Sequence, residues 1–284
     1  MKVQFAGVPT DDMTPIYWAI KTGMYAKEGI DLEIVATASG TIATTAVVAG
    51  SYQLGKGSLI ASLVAHLRNL PITVIACGSI WDKSVLFNEA LVAADSTIRT
   101  GADLNGKTAA TPALNDLNQL VISTWVDKNG GDSKTMKWIE FPNSGLGAAL
   151  ADHRIDVAAM QEPQLSAEIA TGHVRALAPV YNAISEHFCF ADVFANKPWA
   201  EANADVVKRW VRTTYAAAAY TNTHHAETVQ MMADVTKIPA ATIASMARVQ
   251  GATSSDPSLM QPCIDAAAKY KMIPNAFPAK DLFS

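Results

Sequence analysis

Apolar positions along the chain switch repeatedly between a period of two and a period near 3.6. Val3, Phe5 and Gly7 set up a short strand. Ile16, Ala19, Ile20 and Gly23 then share one helical face, with Thr14 placed as N-cap and Pro15 at the first helical position, where its missing N–H costs nothing. Gly29 stops that helix, and Ile30, Leu32 and Ile34 alternate with Asp31, Glu33 and Val35 as a second strand. A strand-helix-strand unit of this length forces parallel pairing, and the loop after its first strand opens at the carboxyl edge, where open α/β sheets bind ligands. Thr10, Asp11, Asp12 and Met13 occupy that loop and are candidate ligand contacts; an ordinary solvated loop is the competing account.

The same alternation continues. Ser39-Gly40-Thr41 opens a short helix closed by Gly50, and its free N–H groups suit an anion or a carbonyl, although a plain N-cap needs no ligand. Tyr52 to Ser58 reads as a third strand whose Gly57-Ser58 turn caps the next helix; Lys56 faces either the cleft or solvent. Ile72 to Cys77 is a continuous apolar run, as expected of a strand covered on both faces. Trp81 follows in a polar stretch, either at the core edge or as a stacking wall, and Tyr17 is a second candidate for stacking. Thr108 to Ala110 forms a strand before a long helix, with Thr111, Asn115, Asp116 and Asn118 clustered at the helix start. A further strand ends at Gln161 and Glu162, which either reach the cleft or, for Glu162, serve the N-terminus of the next helix. From Pro198 onward the pattern is helical, with Val207, Trp210, Val211, Tyr215 and Ala218 on one stripe and an extended surface tail after Pro274.

The run PIYWAIKTGMYAKEGIDLEIV resembles the opening signature of periplasmic solute-binding proteins of ABC importers, in the family serving sulfonates, taurine, nitrate and thiamine-precursor pyrimidines. Pro15, Ala19, Gly23, Tyr25, Glu28, Gly29, Ile30 and Asp31 fill its pattern. The turn IRTGADLNGK, and Asp156, Ala159, Glu162 and Pro163, are similar to further motifs of that family, whereas Gln53 stands where it carries aspartate. The resemblance implies a two-lobed periplasmic-binding-protein type II fold, with mixed sheets flanked by helices. The lobes expected are residues 1–84 plus 196–284 and residues 85–195, with Val85 to Ala94 and Phe188 to Ala195 as hinge strands. It implies a monomer that captures a small-molecule ligand and delivers it to ABC permease subunits, with no catalysis and no cofactor.

Composition narrows the alternatives. A chain of 284 residues, half of them hydrophobic, can bury two medium lobes. A net charge of -4 and no dense basic block argue against nucleic acid or an anionic membrane as partner. No apolar run reaches about 18 residues, so nothing reads as a membrane span. Met1-Lys2 leads directly into strand-like sequence, so an exported protein would here lack its leader; a cytoplasmic protein is the alternative. Cys77, Cys189 and Cys263 show no C-x-x-C spacing and read as buried, inert thiols, and no metal motif occurs among the six histidines.

For the solute, family precedent puts a sulfonate or other organic anion first. The carboxylates Asp11, Asp12, Asp116 and Glu162, with no arginine among the cleft loops, favour instead a pyrimidine, another N-heterocycle or an amine. Two other classes share the scaffold. A pyrimidine-synthase-like enzyme would bring a cysteine-rich motif, which Cys189-Phe190 alone does not supply; a regulator effector domain would bring a helix-turn-helix before Val3.

Overall fold

The computed structural model describes residues 1–283. In chain order its strands are β1 (Lys2–Gly7), β2 (Asp31–Ala36), β3 (Leu54–Ser58), β4 (Ile72–Asp82), β5 (Asn88–Ala93), β6 (Thr108–Thr111), β7 (Lys137–Glu140), β8 (Val157–Gln161), β9 (Val174–Ala178), β10 (His187–Asn196) and β11 (Gln250–Gly251). They form two sheets, ordered β11-β4-β10-β3-β1-β2 and β7-β6-β8-β5-β9. β1 runs parallel to β2 and β3, as the strand-helix-strand pattern requires, while β10 is antiparallel to both β3 and β4. The second sheet is mixed in the same way: β6 is parallel to β7 and β8, and β5 antiparallel to β8 and β9. Two mixed sheets flanked by helices, joined by two crossovers, is the architecture the sequence predicts.

Three expectations change. First, Phe188 to Ala195 is not a hinge strand of the second lobe: β10 lies between β4 and β3 in the first sheet, and its residues from Phe188 to Ala195 are all buried. An apolar run marks a strand covered on both faces but carries no information about which sheet it joins. Val85 to Ala94 likewise contains β5, a strand of the second sheet, so the chain crosses between sheets at residues 83–87 and 179–186. Second, β4 continues through Gly78 and Ser79 to Asp82, which puts Trp81 on a strand rather than in a polar loop. Third, the tail after Pro274 is not simply laid on the surface; Ala279 and Leu282 are buried in the main core.

Aromatic stacking fixes the outer helices of the first lobe. Trp210, on the 18-residue helix Ala204–Thr221, stacks on Phe5 of β1 and on Tyr25, with ring centroids 5.7 and 6.0 Å away. The Tyr25 hydroxyl pairs with Thr214 Oγ1 at 2.6 Å, so this buried phenol is satisfied. The Thr14–Lys21 helix packs on the same surface. Thr14 is not its cap: Asp11–Met13 form a 3-10 turn leading straight into it, and Thr14 Oγ1 donates to Asp11 Oδ1 at 3.1 Å.

Cys77 on β4 and Cys189 on β10 form a disulfide, correcting the reading of three inert thiols; only Cys263 among the described cysteines is free, and it is buried. The two positions lie 112 residues apart in sequence, on adjacent antiparallel strands, with their Cα atoms 6.2 Å apart. The bridge therefore ties together the two strands adjacent to the crossovers. Thiol titration in denaturant without reductant is expected to find one thiol per chain, rising to three after reduction. Three thiols before reduction would contradict this pairing.

Candidate functional site

Strand ends build the site. The loops after β1, β2, β3 and β6, together with the end of β8 and the start of β5, converge on a cavity of about 140 Å³ between the sheets. The first sheet and its loops contribute Thr10, Asp12, Ser39, Gly40, Thr41, Lys56, Gly57, Ser58 and Phe190; the second contributes Asn88, Asp116, Asn118 and Gln161, and the second crossover Tyr181. Ser39 caps the Gly40–Val48 helix by accepting from Ile42 N at 3.3 Å, which aims that helix start at the cavity. Gly40 and Gly57 are needed for close approach, since a Cβ on Gly40 would come within 2.9 Å of Gly57 Cα. Ser58 occupies the N-cap position of the next helix, but its side chain makes no cap hydrogen bond.

The charges sort into one closed pair and two acids outside any ion pair. Lys56 is buried and forms an ion pair with Asp12, which also accepts from Thr10 Oγ1 at 2.6 Å. Lys56 therefore points inward rather than to solvent, and its charge is already compensated. Beneath it lies Asp192, fully buried on β10, whose carboxyl is pushed up to about 7 by loss of hydration, partly offset by Ser62 and Lys56. Asp116 caps the Leu117–Lys128 helix through Gln119 N at 3.0 Å and faces the cavity. Desolvation raises its carboxyl to about 6, against the pull of the Thr111 hydroxyl and the N–H groups of Gln119, Asn118 and Ala113.

Two amides stand out because each has one buried polar atom with no partner in the protein. Asn88 and Gln161 are direct partners across the antiparallel β5–β8 ladder, so their side chains lie next to each other on one face of the sheet. Asn88 Oδ1 and Gln161 Nε2 are buried without a hydrogen-bond partner, and both residues line the cavity. A buried polar group left unpaired costs about 1–3 kcal/mol. A solute that offers one donor and one acceptor side by side removes that cost.

Seven residues expected at the site do not line this cavity. Asp11 is turned away and held by Arg248, with Arg248 Nε at 2.9 Å and Val249 N at 2.7 Å from its carboxylate. Met13 is core, packed at 3.3 Å against the position a Gly7 Cβ would take. Tyr17 is half-buried outside the cavity, its phenol pKa raised by burial and by Asp12. Trp81 is fully buried behind Tyr181, centroids 5.1 Å apart, and its Nε1 donates to Asn182 Oδ1 at 2.9 Å. Thr111 is fully buried beside Asp116, and its Oγ1 has no hydrogen-bond partner. Asn115, in a left-handed conformation with φ of 60°, does not line this cavity but borders the neighbouring groove. Glu162 turns back to Ser166, accepting from its N at 3.0 Å and its Oγ at 2.7 Å, and so serves the following helix. Asn88, Tyr181 and Phe190 were not legible as site residues. A polar residue opening the apolar run of β5 was the one available signal.

A family model described as NMT1/THI5 like matches residues 10–228. A formylaminopyrimidine-binding protein from Halalkalibacterium halodurans is 26% identical over 159 residues, which is 55% of this chain but 46% of that protein, so the match spans about half the relative's length. Among solved structures, the alkanesulfonate-binding protein SsuA from Xanthomonas axonopodis pv. citri, bound to MOPS, superposes with a TM-score of 0.82 at 17% identity, covering 99% of this chain and 97% of that one. The ligand-binding component of an ABC-type import system from Staphylococcus aureus gives 0.85 at 14% identity, covering 100% and 96%. The nitrate-binding protein NrtA from Synechocystis PCC 6803 gives 0.81 at 13% identity, covering 99% and 84%.

Proposed function

The chain belongs to the NMT1/THI5-like family, and from that premise we propose that it is the extracytoplasmic solute-binding component of an ABC importer. On this reading it binds without catalysing, works as a monomer and hands its solute to a membrane permease. The Cys77–Cys189 disulfide suits an oxidising compartment. Among the described residues no helix is long and apolar enough to cross a membrane. The lobes are residues 1–82 with 187–283, and residues 88–178; residues 83–87 and 179–186 act as the hinge. Solute held by one lobe draws the other onto it. A solute bound at about 1 μM supplies roughly 8 kcal/mol, against about 5.5 kcal/mol needed to swing an open-closed equilibrium a hundredfold each way.

The solute we infer is a small neutral or cationic nitrogen heterocycle of the pyrimidine type. The observation that carries this is the unpartnered Oδ1 of Asn88 and Nε2 of Gln161 on adjacent residues, which match a ring edge bearing a donor beside an acceptor. Size agrees: the cavity holds about 140 Å³, and a cavity of about 150 Å³ accommodates benzene. Charge agrees as well, because Lys56 is paired with Asp12 and Asp116 is unpaired by any cation among the described residues. The H. halodurans relative named for formylaminopyrimidine lends further support. A sulfonate is the second reading, favoured by the start of the Gly40–Val48 helix at the cavity.

Calorimetric titration of 4-aminopyrimidine and of ethanesulfonate separates the two. The pyrimidine is expected to bind at micromolar concentration and be recovered unchanged, with the sulfonate at least tenfold weaker. Tighter sulfonate binding would reverse the assignment, and steady conversion of either compound would remove the transport reading.

A further inference from the structure

We propose that the solute site has a second compartment, and that the natural solute carries an apolar arm which leaves the head cavity between Thr41, Ser58 and Asp116 and lies in the groove beyond. The inference rests on the ring-binding reading of the head cavity given above. Thr41, Ser58 and Asp116 line both spaces, so the cavity and the groove adjoin at these three residues. The groove holds about 890 Å³ against about 140 Å³ for the head cavity. One six-membered ring fills the smaller space, so any larger solute has to extend past it.

The lining of the groove says what kind of extension it takes. Val48 and Val64 present aliphatic surface, backed by the buried Ile60 and Ile273, and Leu67, Leu70 and Leu114 are three of the large hydrophobic residues left exposed by the fold; Arg68 and Lys271 are the cations in the lining. Thr44 and Thr45 also face it, but their hydroxyls are engaged by the carbonyls of Gly40 and Thr41, each at 2.9 Å, which leaves little polar capacity for a solute. A recess with this much aliphatic lining is uncommon on a monomer unless something occupies it. The walls come from both sides of the cleft: two helices of the first lobe, the Leu114–Asp116 loop of the second, and residues 272–274. An arm lying there would touch both lobes at once, so its burial adds to whatever favours closure.

The test uses two compounds and two proteins. In the wild type, 5-butyl-4-aminopyrimidine is expected to bind at least twentyfold more tightly than 4-aminopyrimidine, since each buried methylene is worth about fourfold. Thr45 is exposed and lies outside the head cavity, so T45W fills the groove from a surface position. In T45W the advantage of the butyl arm is expected to fall below threefold while 4-aminopyrimidine binds as before. Leu114→Trp, from the opposite wall, repeats the test if T45W is poorly folded. Equal affinities of the two compounds for the wild type, or an advantage that survives both variants, would overturn the inference. If 4-aminopyrimidine itself does not bind, the ring reading fails instead, and the arm is tested in the same proteins with ethanesulfonate against hexanesulfonate. No gain from the longer chain in that pair also overturns it, as does a failure of all four compounds to bind.

Discussion

Asp11→Ala is expected to lower the free energy of unfolding by about 3–5 kcal/mol, because it leaves one member of a buried ion pair without its counter-charge. Asp11 and Arg248 are both nearly inaccessible, at 1% and 7% exposure, and meet with Arg248 Nη2 at 2.9 Å from Asp11 Oδ1. Arg248 also donates to Thr228 Oγ1 at 3.0 Å and to the His225 carbonyl at 3.3 Å, so the guanidinium cannot swing out to water without breaking other bonds. The same substitution strands Val249 N–H, which donates to Asp11 Oδ2 at 2.7 Å. For a chain of this size such a loss should appear as a fall of roughly 10 °C in melting temperature. Because Asp11 lies outside the cavity, solute affinity of the folded variant should stay within about twofold, well under the tenfold that 1.4 kcal/mol represents. An unchanged melting temperature with collapsed affinity would return Asp11 to the solute site, where the sequence alone places it.

Solute affinity should depend on pH through Asp116, and the direction depends on the solute's charge. In the free protein burial holds this carboxyl at about 6, so it carries a proton below that pH and a charge above it. A heterocycle or amine that donates to Asp116 needs the carboxylate, so its affinity should fall by about tenfold for each pH unit below about 6, reaching about a hundredfold near pH 4. An anion needs the protonated acid and should show the opposite slope. Titrations from pH 4.5 to 8 on the wild type and on Asp116→Asn decide the point, since the variant should be flat if Asp116 is the group responsible. A wild-type profile that is already flat would detach Asp116 from the solute. The same raised value has a consequence for the ligand-free fold. A carboxyl whose folded pKa is raised adds stability below its unfolded value, and this is lost as pH rises through the folded value. Asp116 at about 6 and Asp192 at about 7 act in the same direction, so these two groups make the empty protein less stable at pH 8 than at pH 5.

Local chemistry was readable wherever a single segment contains all the parts. Ser39 and the N–H it caps are three residues apart, and the structure contains that bond. Asp116 sits at a helix start for the same reason. The residues misread as solute contacts share a different property, which is that their partners are distant. Arg248, which neutralises Asp11, lies 237 residues downstream in a segment with no motif of its own. Trp81 looked like a free aromatic because its neighbours Tyr181 and Asn182 belong to the second crossover. Glu162 could have pointed either way, and bonds to Ser166 decided it.

From its order of residues alone the chain determined the alternation of strands and helices, the parallel start of the first sheet and the polar loops at strand ends, because each follows from side-chain spacing within about 30 neighbouring residues. Tertiary structure alone decided which sheet His187–Asn196 joins, which cysteines pair, which carboxylates are neutralised and that Asn88 stands beside Gln161. Those outcomes depend on strand register and chain crossing, which bring together groups far apart in sequence, and no periodicity in one segment encodes the identity of its neighbour in another.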